Sequence, residues 1–359
     1  MDSYEVNPVM RANGRELMHP KVFWFDPTGE WIMVAVYKDE KRIGFFGSSD
    51  LKEWKFLSDF EAEDSTAGKW NSAEFFELAV DGDQQKTRWV LVVNTEPEPD
   101  SGKFGPEYFT GDFDGQRFTI DGSQNSLARV DGGSDFFAPL TFSNVPNSDN
   151  RRIWLGWMNN WKYAENIPTK PWKGAMSIPR EVKLQTIDEN IKLIQTPAVE
   201  LRELRTNRQR FRDRRLTEES NFLRETGLRA TSAALIADFE IGDLQKVGFE
   251  LRRGENEQTI VGYDANKEQL FIDRSRSDHK DFDEAFNGNQ RAPLKAKNGR
   301  IKLRIFLDRS SVEVFGNDGE AVITTQIFPS EKSEGMALYV RGGEGQLLSL
   351  DIWQLQGIW

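Results

Sequence analysis

The chain contains no cysteine and only two histidines among its 359 residues. The absence of cysteine excludes disulfide bonds, thiolate nucleophiles and cysteine-ligated zinc. A histidine-rich metal site or a Ser-His-Asp triad would have to be built around His19 or His279. No run of about 18 apolar residues is present, so no membrane-spanning helix is expected. The first residues show neither a basic start nor an apolar stretch, so no signal peptide is expected in this chain, and the cellular compartment stays open.

The charge balance and the lack of nucleotide motifs exclude further classes of function. The chain has 47 Lys and Arg against 58 Asp and Glu, a formal net charge of −11, whereas nucleic acids and anionic membranes are bound by excess positive charge. We therefore expect neither as a partner. No P-loop, GxGxxG, GxSxG or HExxH motif occurs, so no cofactor is expected. Asp112 and Asp114 resemble the start of a calcium loop, but Ser123 occupies the position of the required glutamate, so no metal is expected.

Three similar units of about 50 to 60 residues follow one another between residues 20 and 195, a pattern typical of propeller blades. Each unit begins with an aromatic strand and continues with a very apolar one. The first strands are KVFWFD (21–26), AEFFEL (73–78) and SDFFAPL (134–140), and the second strands are WIMVAVY, RWVLVVN and RRIWLGWM. Propellers close with about four to eight blades. Three units therefore predict a partial propeller, and we expect the chain to begin within that architecture.

The second half of the chain has a different character. Residues 199–216 contain seven arginines and no glycine or proline, which indicates a charged linker or short helix, with a basic binding arm as the alternative. Residues 217–359 return to alternating strands, and Asn317-Asp318-Gly319 is a strong hairpin signal. The predicted fold is all-β: an incomplete propeller over residues 1–198, a linker at 199–216 and a C-terminal β-sandwich at 217–359.

Carboxylates and aromatic side chains are the chemistry that remains, and glycoside hydrolysis uses both. A retaining glycosidase needs a nucleophile and an acid/base about 5 to 5.5 Å apart. Acids near strand starts include Asp26, Glu74, Glu77 and Asp135, and none is distinguished by its spacing. The 11 Trp and 25 Phe either fill the core or provide flat platforms for sugar rings, and the residues alone leave both readings open.

Several long segments resemble glycoside hydrolase family 32, the β-fructosidases, which include invertases, inulinases and levanases. The segments are HPKVFWF, WNSAEFFEL, GSDFFAPLTF, WLGWMNNWKYAENIPTKPWKGAMSIPREV and LDRSSVEVFGNDG, and the resemblance extends from about residue 4 to residue 359. It implies a five-bladed β-propeller followed by a β-sandwich, with the first blade and most of the second absent from this sequence. It also implies a fructosyl sugar or a fructan as ligand.

The three carboxylates of the family are absent or replaced. The family's nucleophile is the aspartate of a WMNDPNG motif, which does not occur in this sequence. Its transition-state stabiliser is the aspartate of an RDP motif, where this chain has Met18-His19-Pro20, and its acid/base is the glutamate of an ECP motif, where this chain has Asn71-Ser72-Ala73. Hydrolysis by the family's route is therefore expected to be lost or strongly impaired, unless Glu74 replaces the acid.

The sugar-binding side chains of the family are better kept. The predicted substrate-binding residues are His19, Asn71, Asp135, Trp157, Asn160, Trp161 and Trp172. Trp154 and Trp172 have an alternative reading as packing residues between blades. The sequence thus supports an inactive or impaired β-fructosidase that still binds sugars, a pseudoenzyme. The alternatives are an assembly component whose open propeller edge is covered by a second chain or a second copy, and a degenerate product without selected activity.

Overall fold

The computed structural model describes residues 4–10, 15–38, 40–62, 69–96, 105–122, 128–143, 145–146, 148–219, 222–277, 282–286 and 288–357. The described part is built mainly of β-strands and divides into two compact units. The first unit comprises Met1–Val130, Phe137–Thr141 and Lys183–Ile191, and the second comprises Asp131–Phe136, Phe142–Val182 and Lys192–Trp359. His279 and Ser123 lie outside the described residues. No helix in these ranges is long and apolar enough to cross a membrane.

The first unit contains the first two of the predicted blades. Its strands are β1 (Leu17–Phe25), β2 (Glu30–Tyr37), β3 (Arg42–Ser48), β4 (Lys55–Glu61), β5 (Trp70–Val80), β6 (Asp83–Thr95), β7 (Gly105–Phe113), β8 (Phe118–Ile120), β9 (Ala128–Arg129) and β10 (Phe137–Thr141). Strands β1 to β4 pair in chain order, as do β5 to β8, and every pairing is antiparallel. Two four-stranded meanders are therefore present where the repeats predicted them.

Aromatic side chains form the core of the first unit. Phe75 stacks on Trp89 with ring centroids 4.6 Å apart, and Phe113 meets both rings edge-on at 5.3 Å. These rings come from β5, β6 and β7, with Phe45 of β3 added from the other meander. Aromatic rings bury large areas and pack well on pleated surfaces. Most of the conspicuous phenylalanines of this half of the chain therefore fill the core.

The second unit begins with strands of the third predicted blade. Its first strands are β11 (Arg152–Met158) and β12 (Ala175–Met176), followed by β13 (Arg180–Ile187) and β14 (Asn190–Pro197), which contribute residues to both units. Strand β11 pairs antiparallel with both β12 and β13, and β14 pairs with β13. The strands predicted for the third repeat therefore form at the predicted positions.

The rest of the second unit is a β-sandwich. A 3-10 helix (Val199–Leu204) leads into β15 (Arg205–Leu216), α1 (Phe222–Glu225), β16 (Ala233–Glu240), β17 (Lys246–Arg253), β18 (Gln258–Asp264), β19 (Gln269–Arg276), a second 3-10 helix (Glu284–Phe286), β20 (Asn289–Pro293), β21 (Arg300–Asp308), β22 (Ser311–Gly316), β23 (Ala321–Gln326), β24 (Gly335–Arg341) and β25 (Gly345–Leu355). One sheet has the order β15-β25-β16-β21-β22-β23 and the other β20-β19-β18-β17-β24. Alternate residues of both sheets build one apolar core.

The predicted hairpin at Asn317-Asp318-Gly319 joins β22 to β23, and all three residues have positive φ, between 46° and 98°. Asparagine, aspartate and glycine tolerate this left-handed conformation better than other residues do, which is why such turns use them. Together with the two facing sheets, this hairpin supports the predicted sandwich.

The interpretation of residues 199–216 as a linker or helix is wrong for most of the segment. Residues Arg205–Leu216 form a twelve-residue strand that pairs along its length with β25, from Arg205 opposite Leu355 to Leu216 opposite Gly345. The backbone ladder outweighs the weak helix propensity of the sequence. The arginines suit an edge strand, where charge discourages pairing with other chains. Three of them, Arg208, Arg210 and Arg212, form ion pairs with the carboxylate of Asp351. The other domain boundaries stay predictions.

Candidate functional site

His19 lies at an irregularity of β1. The ladder between β1 and β2 pairs Met18 with Val36 and Lys21 with Val34, so β1 carries one extra residue between these pairs. His19 has a φ of 49° and an exposed side chain. A β-bulge re-aims a side chain out of the regular alternation of a strand and is common beside active sites. The RDP-like position therefore lies on a bulge and presents an exposed imidazole.

Asn71 lies at a second bulge, in β5. Trp70 pairs with Thr95 and Ser72 with Asn94, so Asn71 is the extra residue. Its side chain is half-buried, and its amide nitrogen donates a hydrogen bond of 2.7 Å to Oε1 of Glu96. Glu96 follows the end of β6 and is held beside β5 by its backbone N–H, which donates to the carbonyl oxygen of Lys69 at 3.0 Å. The ECP-like position therefore presents an amide and a neighbouring carboxylate.

Glu74, the suggested replacement acid, has a fully buried side chain. Its Oε1 lies 2.7 Å from Nζ of Lys21 and accepts a hydrogen bond of 2.5 Å from the Thr141 hydroxyl. Buried carboxylates are normally retained where such partners offset the loss of hydration. These contacts tie β1, β5 and β10 together within the first unit. They give Glu74 the environment of a structural ion pair and leave it no exposed surface for a substrate.

Asp135 is also fully buried, inside the second unit. Its Oδ2 lies 2.7 Å from Nη1 of Arg274 and accepts the backbone N–H of Gln326 at 2.8 Å, while its Oδ1 accepts the hydroxyl of Tyr163. Burial, followed by the charge of Asp135, raises the pKa of Tyr163 above its usual value. The carboxylate is thus surrounded by protein donors, which differs from the sugar-binding role that the resemblance implies for Asp135.

A second buried ion cluster was not identified from the sequence. The guanidinium of Arg180, fully buried, lies 3.0 Å from Oδ2 of Asp131 and 2.6 Å from Oε2 of Glu313, and burial raises the pKa of Glu313 although Arg180 opposes that shift. Arg180 belongs to the SIPRE segment, which is one of the segments that resemble the family, so this residue could be identified from the sequence. Its partner Glu313 is 133 residues away in the chain, and only the fold brings the two together.

The tryptophans between residues 154 and 172 divide between core and surface. Trp154 is fully buried near Phe136, so it is a packing residue, as one reading of the sequence had it. The rings of Trp157 and Trp161 lie 4.9 Å apart, and Trp161 is 55% exposed. Trp172 is 74% exposed, so it is a surface residue rather than a packing residue. Exposed indole rings are available for stacking with a ligand.

Asn160 and Gly174 shape the loops around these rings. The Asn160 side chain is buried, donates to the carbonyl oxygen of Ser134 at 2.8 Å and accepts the N–H of Lys162 at 3.0 Å, so it braces the loop rather than facing solvent. Gly174 has a φ of 88°, and a Cβ there would lie 3.1 Å from Nε1 of Trp157. The glycine therefore permits both the turn and the close approach of the indole.

The predicted site residues thus fall into two groups, each within one unit. His19, Asn71 and Glu74 lie on β1 and β5 of the first unit, and the tryptophans, Asn160 and Asp135 lie in the second. Glu96 and Lys21 were missed because their roles depend on strand pairing, which spacing in the sequence does not reveal. In the part of the chain that the structure describes, no group of three or more His, Asp or Glu is arranged to hold a metal ion.

Comparison with known proteins identifies the class to which this all-β architecture belongs. The chain is similar to the exo-inulinase from Aspergillus awamori, whose crystal structure superimposes with a TM-score of 0.85 at 32% identity, covering 95% of this chain and 67% of that one. A β-fructofuranosidase from Schwanniomyces occidentalis has the same fold, with a TM-score of 0.87 at 24% identity over 99% of this chain and 73% of that one. The predicted fold class, a β-propeller domain followed by a β-sandwich, is confirmed.

Two family descriptions match almost the whole chain. "Glycosyl hydrolases family 32 N-terminal domain" matches residues 1–197, and "Glycosyl hydrolases family 32 C terminal" matches residues 200–354. The chain belongs to glycosyl hydrolase family 32. It is 41% identical to a levanase of Bacillus subtilis (strain 168) over 361 residues, which is 99% of this chain and 53% of the levanase. The extracellular exo-inulinase of Aspergillus awamori is 35% identical, over 97% of this chain and 66% of that protein. The chain thus spans about half to two thirds of these relatives.

Proposed function

We propose that this chain acts in carbohydrate metabolism as a β-fructoside-binding member of family 32, and that its own capacity for glycoside hydrolysis is lost or strongly reduced. The relatives named levanase and exo-inulinase support a fructan as the ligand. The adjacent rings of Trp157 and Trp161 and the exposed ring of Trp172 support binding, since exposed indole rings suit the apolar faces of sugar rings.

The observation that carries the reduced activity is the state of the acid/base position. Asn71 is an amide engaged with Glu96 at 2.7 Å, and an amide cannot deliver a proton to a leaving oxygen at neutral pH. A positioned acid contributes about 10² to 10⁴ in rate. His19 replaces the stabilising carboxylate, and Glu74, three residues from Asn71, is buried and paired with Lys21. Both replaced positions keep their bulges, so they still present hydrogen-bonding side chains that suit sugar hydroxyls.

Two measurements on the chain test this proposal. Calorimetric titration with sucrose and with inulin and levan oligosaccharides is expected to give binding at millimolar ligand, while reducing-sugar release from the same substrates stays near the uncatalysed level. Absence of any heat at millimolar ligand would exclude the binding function. Substantial hydrolysis by the unmodified chain would show that another carboxylate has taken over the chemistry.

Restoration of the two replaced carboxylates separates their contribution to hydrolysis from the contribution of the nucleophile. The variant His19→Asp with Asn71→Glu regains two of the three family acids on bulges that already present them, yet we expect little hydrolysis, because the fructosyl-enzyme bond requires the nucleophile as well. Addition of a separately expressed fragment with the first two blades of a family member is expected to give measurable hydrolysis only with that variant. Equal activity of the parent chain with the same fragment would contradict the assigned roles of His19 and Asn71.

A second candidate function, assembly with another chain, is favoured by the edge of the first unit. Among the described strands, β1 lies at the edge of its four-stranded sheet and pairs with β2. Val22 and Trp24 of β1 have exposed side chains, and Leu140 of β10 is 61% exposed. Exposed apolar groups on a strand edge ordinarily mark an interface. Light scattering that shows a stable, soluble monomer would argue strongly against this candidate.

A further inference from the structure

The outer face of the five-stranded sandwich sheet carries a row of residues in register across all its strands. Phe271 of β19 lies opposite both Arg291 of β20 and Gly262 of β18, Gly262 lies opposite Gly248 of β17, and Gly248 lies opposite Tyr339 of β24. Neighbouring residues of each strand on the opposite face belong to the sandwich core. The row therefore places two aromatic side chains on either side of a floor made by two glycines.

The two rings lean over the glycine floor towards each other. Three strand spacings of about 4.8 Å separate the backbones of Phe271 and Tyr339, yet their ring centroids are 6.1 Å apart with an interplanar angle of 73°. A Cβ on Gly262 would lie 3.2 Å from two atoms of the Phe271 ring, so the ring covers the glycine directly. Both rings remain partly exposed. Phe271 and Tyr339 therefore form an aromatic patch on the outer face of the sheet, outside the apolar core of the sandwich.

Polar side chains surround these rings and line a shallow pocket with them. The pocket residues include Lys246, Asp264, Gln269, Asp273 and Arg291. The Lys246 ammonium lies 3.4 Å from Oδ2 of Asp264 and 5.7 Å from the centre of the Phe271 ring. Lys246 and Arg291 are balanced in number by Asp264 and Asp273, and Arg341 beside the Tyr339 ring adds one positive charge. It offers both donors and acceptors beside an aromatic surface.

One acceptor of this pocket lacks a partner. Oε1 of Gln269 is buried and forms no hydrogen bond within the described residues. A buried polar atom left without a partner costs about 1 to 3 kcal/mol of stability, a cost that a donor from a ligand would relieve. Lys246 over Phe271, and Arg341 with its guanidinium 4.8 Å from the Tyr339 ring, are long side chains that can swing aside to admit such a ligand.

We propose that this face of the sandwich is a second carbohydrate-binding site, which takes a segment of a neutral oligosaccharide. A sugar presents hydroxyls that both donate and accept, together with an apolar C–H face, and the pocket matches each of these features. A polyanion would need a large excess of positive charge, whereas Lys246, Arg291 and Arg341 exceed Asp264 and Asp273 by a single charge. The site consists only of residues of the second unit, and it does not require His19 or Asn71.

The site is tested on the full chain by affinity electrophoresis through gels that contain levan, inulin or a soluble β-glucan. Calorimetry then uses an oligosaccharide of the glycan that retards the chain most. The double variant Phe271→Ala/Tyr339→Ala and the single variant Gln269→Ala are compared with Phe56→Ala, which removes an exposed aromatic ring of the first unit. Loss of ring stacking is expected to weaken binding about threefold to tenfold, whereas Phe56→Ala leaves it unchanged. Urea midpoints establish whether each variant is folded. If the double variant does not fold, Gln269→Ala still tests the site.

A parallel variant, His19→Ala/Trp161→Ala, distinguishes this site from the family site. Weakened retention in the Phe271, Tyr339 or Gln269 variants supports the sandwich site, whether or not His19→Ala/Trp161→Ala also weakens retention. Retention that depends only on His19 and Trp161 overturns it and leaves the proposed function intact. Absence of retention by all three glycans, or retention by heparin instead, also overturns the proposal.

Discussion

Replacement of Asp135 by asparagine is the sharpest test of whether that residue is structural. The variant keeps the shape of the side chain and removes its charge, which leaves the Arg274 guanidinium fully buried without its carboxylate. Arg274 would retain the hydroxyl of Thr325 at 2.7 Å and the carbonyl oxygen of Gln326 at 2.9 Å, so hydrogen bonding is only partly lost. The dominant effect is an uncompensated charge in a low dielectric.

The magnitude follows from the burial of both partners. Removal of one partner of a buried ion pair costs about 3 to 5 kcal/mol, whereas exposed ion pairs contribute about 0 to 1 kcal/mol. Because natural domains have a free energy of unfolding of about 5 to 15 kcal/mol, Asp135→Asn is expected to remove a large part of the stability of the second unit. With a urea dependence of about 2 kcal/mol per molar, the midpoint falls by about 1.5 to 2.5 M.

Urea unfolding followed by tryptophan fluorescence measures this loss. Asp149→Asn is the matched control, because Asp149 pairs with Arg151 at 2.6 Å but both side chains are partly exposed. The control is expected to shift the midpoint by less than about 0.5 M. If Asp135→Asn leaves the midpoint within that range and instead abolishes sugar binding, Asp135 is a ligand residue and the structural assignment is refuted.

Three further predictions concern charge and pH. Burial, followed by the charge of Asp135, raises the pKa of Tyr163, so the folded state keeps this proton after the unfolded chain has lost it, and stability falls as the pH rises above about 10. Tyr163→Phe should reduce that slope in pH-dependent urea titrations but not abolish it, because burial also raises the pKa of Tyr37 and of Tyr263. Lys21→Met leaves Glu74 buried without its cation and is expected to cost about 2 to 4 kcal/mol in thermal melts; a loss below about 1 kcal/mol would contradict a structural role for the ion pair. Asn71→Glu places a second carboxylate beside Glu96 and is expected to lower the urea midpoint of the first unit, because the two like charges repel at neutral pH, while Asn71→Gln is expected to leave it unchanged.

The repeat pattern of this sequence predicted the local structure of the first half of the chain well. Alternation of apolar residues and the turn residues between them are local signals, and they placed β1, β2, β5 and β6 close to where they lie. The Arg205–Leu216 segment shows the limit of such signals. Its composition favours a helix or linker, and only the ladder with β25, more than a hundred residues later in the chain, makes it a strand.

The candidate site shows the same division. The motifs predict from the sequence alone that His19 and Asn71 occupy positions of the family's carboxylates, because each motif is defined by immediate neighbours. The sequence could not show that both lie on β-bulges, that Glu96 approaches Asn71, or that Glu74 and Asp135 are buried against Lys21 and Arg274.

The sequence by itself determined the family and the all-β class, since these depend on residue types in short segments. The tertiary structure decided which carboxylates are exposed and which are paired, and it aligned Phe271, Gly262, Gly248 and Tyr339 across four strands. Burial and cross-strand register join residues that are far apart in the chain. No local pattern records these relationships, because the free energy that fixes them arises only when the strands pair and the core closes.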